Sequence, residues 1–405
     1  MAARFLVPGG DGQWNSTTNW SATSGGASGA SFPVAADTVT FDINSANAPM
    51  TVNVASACLS FTASNYTGTL TVSNTLTVSG TTNTGNITLS AGMTITGTGT
   101  IIKKPTGTTG VITSNGVVLD CNFQYTGIAA STTTLTGNLQ VNKNVTFSLN
   151  STAINTINSG TLIIGGDLIM NSPISGTSTI QMIGSTTATI TPVALRFLNN
   201  NLVINKTGIL NLTNLYFGGT SGRTLTYTAG VVNHTGTLFT NRSILNTNGI
   251  NWNNISQTTT TVITLTSLLT AVAFVGIGTS TTFNGTAGFI IGTVTIPSVV
   301  HQAALNLANG VTYRITSGLT HFGTGSGINI MGHLRCISGI AYLILNTNAT
   351  CKLAFINITN IDATGGKTLR VIGLIDGDIN KGATVTNCVN CVAMFNKIEQ
   401  YNKVI

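Results

Sequence analysis

Charge is what this 405-residue sequence has least of. Asp and Glu together number nine and Lys and Arg sixteen, so 6% of residues are charged, against about 25% in an ordinary soluble domain. Glu399 is the only glutamate. Such a composition is not that of a typical soluble enzyme. The net charge of +7 reflects missing acids rather than clustered bases, since Lys103-Lys104 is the only adjacent basic pair. No run of the kind that tracks phosphates occurs, and nucleic acid is not an expected partner. Long apolar runs are missing too: Thr, Ser, Asn or Gly breaks each one short of the roughly 18 residues that mark a transmembrane helix, so no membrane insertion is expected. Six cysteines are too few for a disulfide scaffold, and Cys58 and Cys121 read as small buried thiols. Disorder requires low hydrophobicity, which a 42% apolar chain lacks. Helical periodicity is nearly absent.

What is abundant points one way. Threonine occurs 73 times and glycine 46 times, and Thr, Val and Ile suit a pleated, half-buried surface. Internal similarity is the strongest feature. The stretch GTLTVSNTLTVSG at 68–80 aligns with GNITLSAGMTITG at 85–97, placing Leu70 on Ile87, Val72 on Leu89, Leu76 on Met93 and Val78 on Ile95. The pattern returns as GNLQVNKNVTFS at 137–148 and GTLIIGGDLIM at 160–170, 23 residues further on, and more loosely at 201–210. Each copy reads as two short strands with apolar residues at alternate positions. A lone hairpin of this size cannot bury its apolar face, and its edges are left unpaired. Stacking successive copies in one direction solves both problems. The expected fold is therefore all-β, a right-handed parallel β-helix (solenoid) with a small N-terminal cap. Turns of about 20 residues over 48–386 give roughly 17 rungs.

Residues 1–47 differ from the rest and hold Trp14, Trp20 and Phe41 within a Gly-rich segment. They read either as an aromatic cap that closes the first rung or as a docking module that inserts into a partner. Residues 387–405 regain charge and form a C-terminal tail.

The leader GGDGQWNSTTNWSATSGGASGASFPVAADTVTFD resembles the opening of β-solenoid virion proteins of tailed bacteriophages, with related leaders in bacterial surface proteins. The stretch 222–255, GRTLTYTAGVVNHTGTLFTNRSILNTNGINWNNI, is similar to that group's repeating segment, and 341–369 resembles its closing segment. Two departures stand out: Asn360 replaces the usual acid, and the chain ends in MFNKIEQYNKVI rather than a Trp-containing strand. The resemblance implies a virion structural protein: a tail fibre or spike acting in host adsorption, or a capsid decoration fibre. It implies a homotrimer, contacts with other capsid or tail proteins and with bacterial surface glycan, and no catalytic residues or cofactors. Only Phe5-Leu6-Val7 precedes Pro8, too short an apolar run for a secretory signal. Assembly in a host bacterial cytoplasm and residence in the virion are thus expected.

Two other functions are considered. A glycan-cleaving tailspike needs paired carboxylates, and the one close pair is Asp376 and Asp378 in LIDGDIN. A structural turn, a loose Ca²⁺ site and a glycosidase pair are the three readings of that pair, the first being favoured. A bacterial adhesin requires export. Asp120 and Asp167 read as turn or corner residues, and His234, His301, His321 and His333 carry no catalytic motif. The CxxC of Cys388 and Cys391 lacks the second pair that would mark a zinc site, with Cys336 and Cys351 upstream. The expectation is a non-enzymatic rod with no metal or cofactor.

Overall fold

The computed structural model describes residues 1–80, 85–105, 109–127, 131–149, 154–192, 197–257, 261–276, 280–296, 304–322, 332–336, 338–354, 356–367, 369–372 and 383–385. The fold is all-β: stacked parallel strands form a β-solenoid of about 12 turns. Turns are fewer than the sequence suggests because three strands, not two, complete each one. The chain forms two compact units, Met1–Tyr216 with Thr228–Asn233, and Phe217–Tyr227 with His234–Ile405.

In the first unit three parallel ladders run side by side. One joins Met50, Leu70, Ile95, Leu119, Val141 and Ile164 in register. A second joins Leu76, Ile101, Phe123, Val145, Leu168 and Ile190. The third joins Val39, Phe61, Ile87, Ile112 and Leu135. All these side chains are buried, and each contributes about 1.5–3 kcal/mol by leaving water. Threonines alternate with them on the outside, as in the half-buried, buried alternation of Thr69–Val72 and Thr75–Val78.

This register corrects the 17-residue alignment. Leu70 stacks on Ile95, 25 residues on, and Ile87 belongs to a different ladder. The cause is physical: consecutive strands within one turn carry the same alternation, so sequence similarity cannot tell a neighbour along the chain from a neighbour along the axis. The 23-residue offset is the true turn length, pairing Leu139 with Leu162 and Val145 with Leu168.

Corners hold the turns together by a second device. The Asn122 amide donates to Thr98 O at 3.3 Å, and Asn122 Oδ1 accepts from Asn144 N at 3.3 Å. Asn144 Oδ1 accepts from Asp167 N at 2.9 Å, and Asp167 Oδ1 from Thr189 N at 2.8 Å. One side chain per turn thus satisfies a backbone group of an adjacent turn, where the strand ladder is interrupted. Gly97, at φ 131, sits where the first ladder bends into the second, and a Cβ there would overlap the Val72 carbonyl.

The first rung begins ahead of residue 48, since Thr38–Phe41 already pairs in parallel with Ser60–Ala63. Its other edge is covered by Ala3–Leu6, which in turn pairs antiparallel with Trp20–Ser21. This change of direction ends the parallel ladder and leaves a short, protected edge.

The second unit obeys the same rule with a different core. Its ladders join Leu238, Ile255, Phe274, Val294 and Leu319; Ile263 with Phe283; and Leu269 with Phe289. Phe274, Phe283, Phe289 and Tyr313 form a chain of ring contacts with centroids 5.2, 5.2 and 4.8 Å apart, within the range that favours edge and tilted packing.

Candidate functional site

The aromatic residues of the leader are interior. Trp14, Trp20 and Phe41 are each 0% exposed. The rings of Trp14 and Trp20 meet edge to face at 5.0 Å, and Trp20 Nε1 donates to Trp14 O at 2.8 Å. Phe41 packs on Phe61 and Tyr66 at 5.1 and 5.0 Å. The trio is therefore the core of a cap; as a docking element it would have to leave that core. Polar groups pin the leader over it. Asn19 is buried, donates to Asp11 Oδ1 and Gln13 O and accepts from Gly12 N. Asp37, also buried, accepts from Ala2 N at 2.9 Å and lies 3.6 Å from the Arg4 guanidinium.

Asp376 and Asp378 lie outside the described residues, as do Cys388, Cys391 and His301. Asp120 is a strand residue rather than a turn, with Lys143 Nζ 3.7 Å from its carboxylate. Asp167 is a corner residue, as its spacing suggests. Cys58, Cys121, Cys336 and Cys351 are free thiols; burial pushes Cys58 far up and Cys121 to about 12. Among the described residues no three His, Cys, Asp or Glu side chains gather as a metal site. His234 is buried, accepts from Asn253 N through Nδ1 at 2.9 Å and stands edge-on to Trp252 at 4.9 Å. Desolvation pushes its ring down to about 4, so it is neutral across the physiological range.

Two buried lysines were not anticipated. Lys103 and Lys206 are 0% exposed. Lys206 Nζ donates to Gly165 O and Ile183 O at 3.2 and 2.7 Å. Lys103 Nζ has no hydrogen-bond partner, and desolvation lowers its amine to about 8. Gly85 and Gly110 make its room, since a Cβ at either would come within 3.0 Å of the amine. The signal was in the alternation: Lys103 follows Ile101, and Lys206 follows Leu202 and Ile204, at inward positions.

The open concavity among the described residues is on the flank of the second unit, a groove of about 450 Å³. Arg242, Ile244, Val262, Thr264, Ser280 and Thr282 line it. Ile244 pairs with Thr264, and Val262 with Thr282, so its sides are built from successive rungs. Below it Asn306 donates to Ser280 Oγ and Thr282 Oγ1 at 3.1 and 2.9 Å and accepts from Arg335 Nε at 2.8 Å. Hydroxyls, an amide and guanidinium groups thus converge along one face. No sequence motif marks them.

These features define a parallel β-solenoid with a closed amino-terminal end and a polar flank. In comparison with known proteins, no family model, curated protein or solved structure matches the chain.

Proposed function

We propose that the chain is a non-enzymatic structural rod of a tailed-phage particle, a tail-associated fibre or spike that contributes to host-surface adsorption. Decoration of the head surface is the second position consistent with the same architecture. The observation that carries the reading is the leader: the residues through which it resembles phage virion proteins, Trp14, Trp20, Asp37 and Phe41, are those that build the cap and close the first rung. A rod ended in this way resists edge-to-edge growth and presents its sides. Those sides carry Thr and Asn rather than charge, which suits contact with glycan hydroxyls. The reading includes self-association as a homotrimer and contacts with other virion proteins. Immunogold labelling of purified particles tests it: labelled tails or heads support the assignment, and particles devoid of the protein overturn it. Light scattering of the purified chain tests the trimer, which a monomer at high concentration contradicts.

A further inference from the structure

The groove of the second unit is electrostatically one-sided. Among the described residues of this unit the only acid is Asp362, which accepts from Thr364 N and Oγ1 at 3.0 and 2.6 Å and pairs with Tyr342 in another ladder. The bases of the same unit include Arg223, Arg242, Arg314, Arg335, Lys352 and Lys367. No carboxylate lines the groove, whereas Arg242 does.

The polar groups are also pre-ordered. Thr282, Asn306 and Arg335 occupy successive positions of one ladder, spaced about 4.8 Å apart. Asn306 is 3% exposed and is held by hydrogen bonds on both sides, so Arg335 is aimed through its Nε before any ligand arrives. A guanidinium fixed by one edge recognises carboxylate or phosphate at low entropic cost. The lining contains no aromatic ring, which removes the stacking platform that single-stranded nucleic acid uses. Ile244 and Val262 supply apolar contact beside the hydroxyls, the mixture that a sugar ring, with its C–H faces and O–H rim, matches.

We propose that this groove binds an acidic oligosaccharide, an extended glycan whose carboxylates pair with Arg242 and Arg335 while its hydroxyls meet Thr264, Ser280 and Thr282. An extended 1,4-linked hexose chain advances per residue by a distance close to one strand spacing, about 4.8 Å, so successive sugars face successive rungs. The inference deepens the adsorption reading and rests on it only for the source of the glycan. The assay uses the isolated chain, so its outcome is separate from whether particles carry the protein.

Titration calorimetry of the full chain with an α-1,4-linked oligogalacturonate and with a maltooligosaccharide of equal length is the test. The acidic oligomer is expected to bind and the neutral one to bind at least tenfold more weakly. Arg242→Gln and Arg335→Gln should each weaken the acidic oligomer about fivefold or more with unchanged melting temperature, and raising salt should weaken it further. Lys143→Gln, in the first unit, should change nothing. If an arginine variant misfolds, Thr282→Val, which keeps the ladder position, supplies the same comparison. No binding of the acidic oligomer, equal binding of both oligomers, or affinity indifferent to Arg242, Arg335 and Thr282 overturns the proposal. Tighter binding of a single-stranded oligonucleotide at the same residues overturns it as well.

Discussion

The two units solve one problem with unequal regularity. In the first, the step from one turn to the next ranges from 18 residues, Ile164 to Met182, to 26, Phe61 to Ile87. In the second it ranges from 14, Leu369 to Ala383, to 32, Leu319 to Cys351. Equal turns let a corner residue sit above its equivalent, which is how the chain from Asn122 through Asn144 and Asp167 to Thr189 arises. Unequal turns cannot maintain such a column, and stability shifts to the large rings of Phe274, Phe283, Phe289 and Tyr313. The groove belongs to the irregular unit. Regular stacking yields a uniform flank, whereas changes in turn length create concavity, so function is expected where periodicity is poorest.

The largest expected effect lies at the closed end of the regular unit. Trp20→Ala removes a fully buried indole and should cost about 3–5 kcal/mol, read as a lower melting temperature and as aggregation through the uncovered first rung. The same truncation at Trp252, also 0% exposed, should destabilise comparably without aggregation. Similar aggregation from both would break the distinction between cap and body.

Next come the corners. Gly97→Ala combines a left-handed φ of 131 with overlap on the Val72 carbonyl and should cost roughly 2–3 kcal/mol by chemical denaturation. Gly116→Ala, at φ 80 with open space around it, should cost about 1 kcal/mol. Equal losses would show that the close approach of turns at Gly97 contributes nothing.

The units should also respond to pH in opposite windows. Lys103 titrates near 8 in the folded state against 10.5 ordinarily, so between those values the unfolded chain holds the extra proton and stability rises with pH. Lys103→Met should therefore stabilise the first unit at pH 7, on the order of 2 kcal/mol, with the gain vanishing near pH 10.5. His234 titrates near 4 against 6.5. Stability of the second unit should fall as pH drops from 6.5 towards 4 while the unfolded chain takes up the proton first. Hydrogen exchange followed unit by unit reads both, and a single shared pH profile would contradict them.

The smallest effect is at the corner ladder. Asn144→Ala leaves the Asp167 N–H without its acceptor and should cost about 1–2 kcal/mol in thermal denaturation. Asn253→Ala, outside any such column, removes amide contacts to Thr235 O and Gly236 O at the surface and should cost less than 1 kcal/mol.

Much of the fold was legible in the residues themselves. Alternation around Leu70, Val72, Leu76 and Val78 identified strands and their inner face, and the 23-residue spacing from Leu139 to Leu162 gave a real turn. The third strand of each turn was hidden because Ile87–Thr88 and Ser60–Ala63 carry the same alternation as their neighbours. The aromatic cap was visible as a cluster of Trp14, Trp20 and Phe41, though their burial depends on contacts with Phe61 and Tyr66 that only folding creates. Lys103 and Lys206 followed the alternation, yet charge argues against an interior position until nearby glycines and carbonyls are seen to make room. The groove had no motif because its residues, from Arg242 to Thr282, meet only through register.

The register itself is the decisive quantity. Thr71 and Thr96 are partners in adjacent turns, at a spacing near 4.8 Å that permits a disulfide. Oxidation of the Thr71→Cys, Thr96→Cys double variant should give a crosslinked, folded chain, while Thr71→Cys with Thr88→Cys, the pair at the 17-residue offset, should remain reduced. Crosslinking of the second pair and not the first would show that the turns do not stack as three parallel ladders.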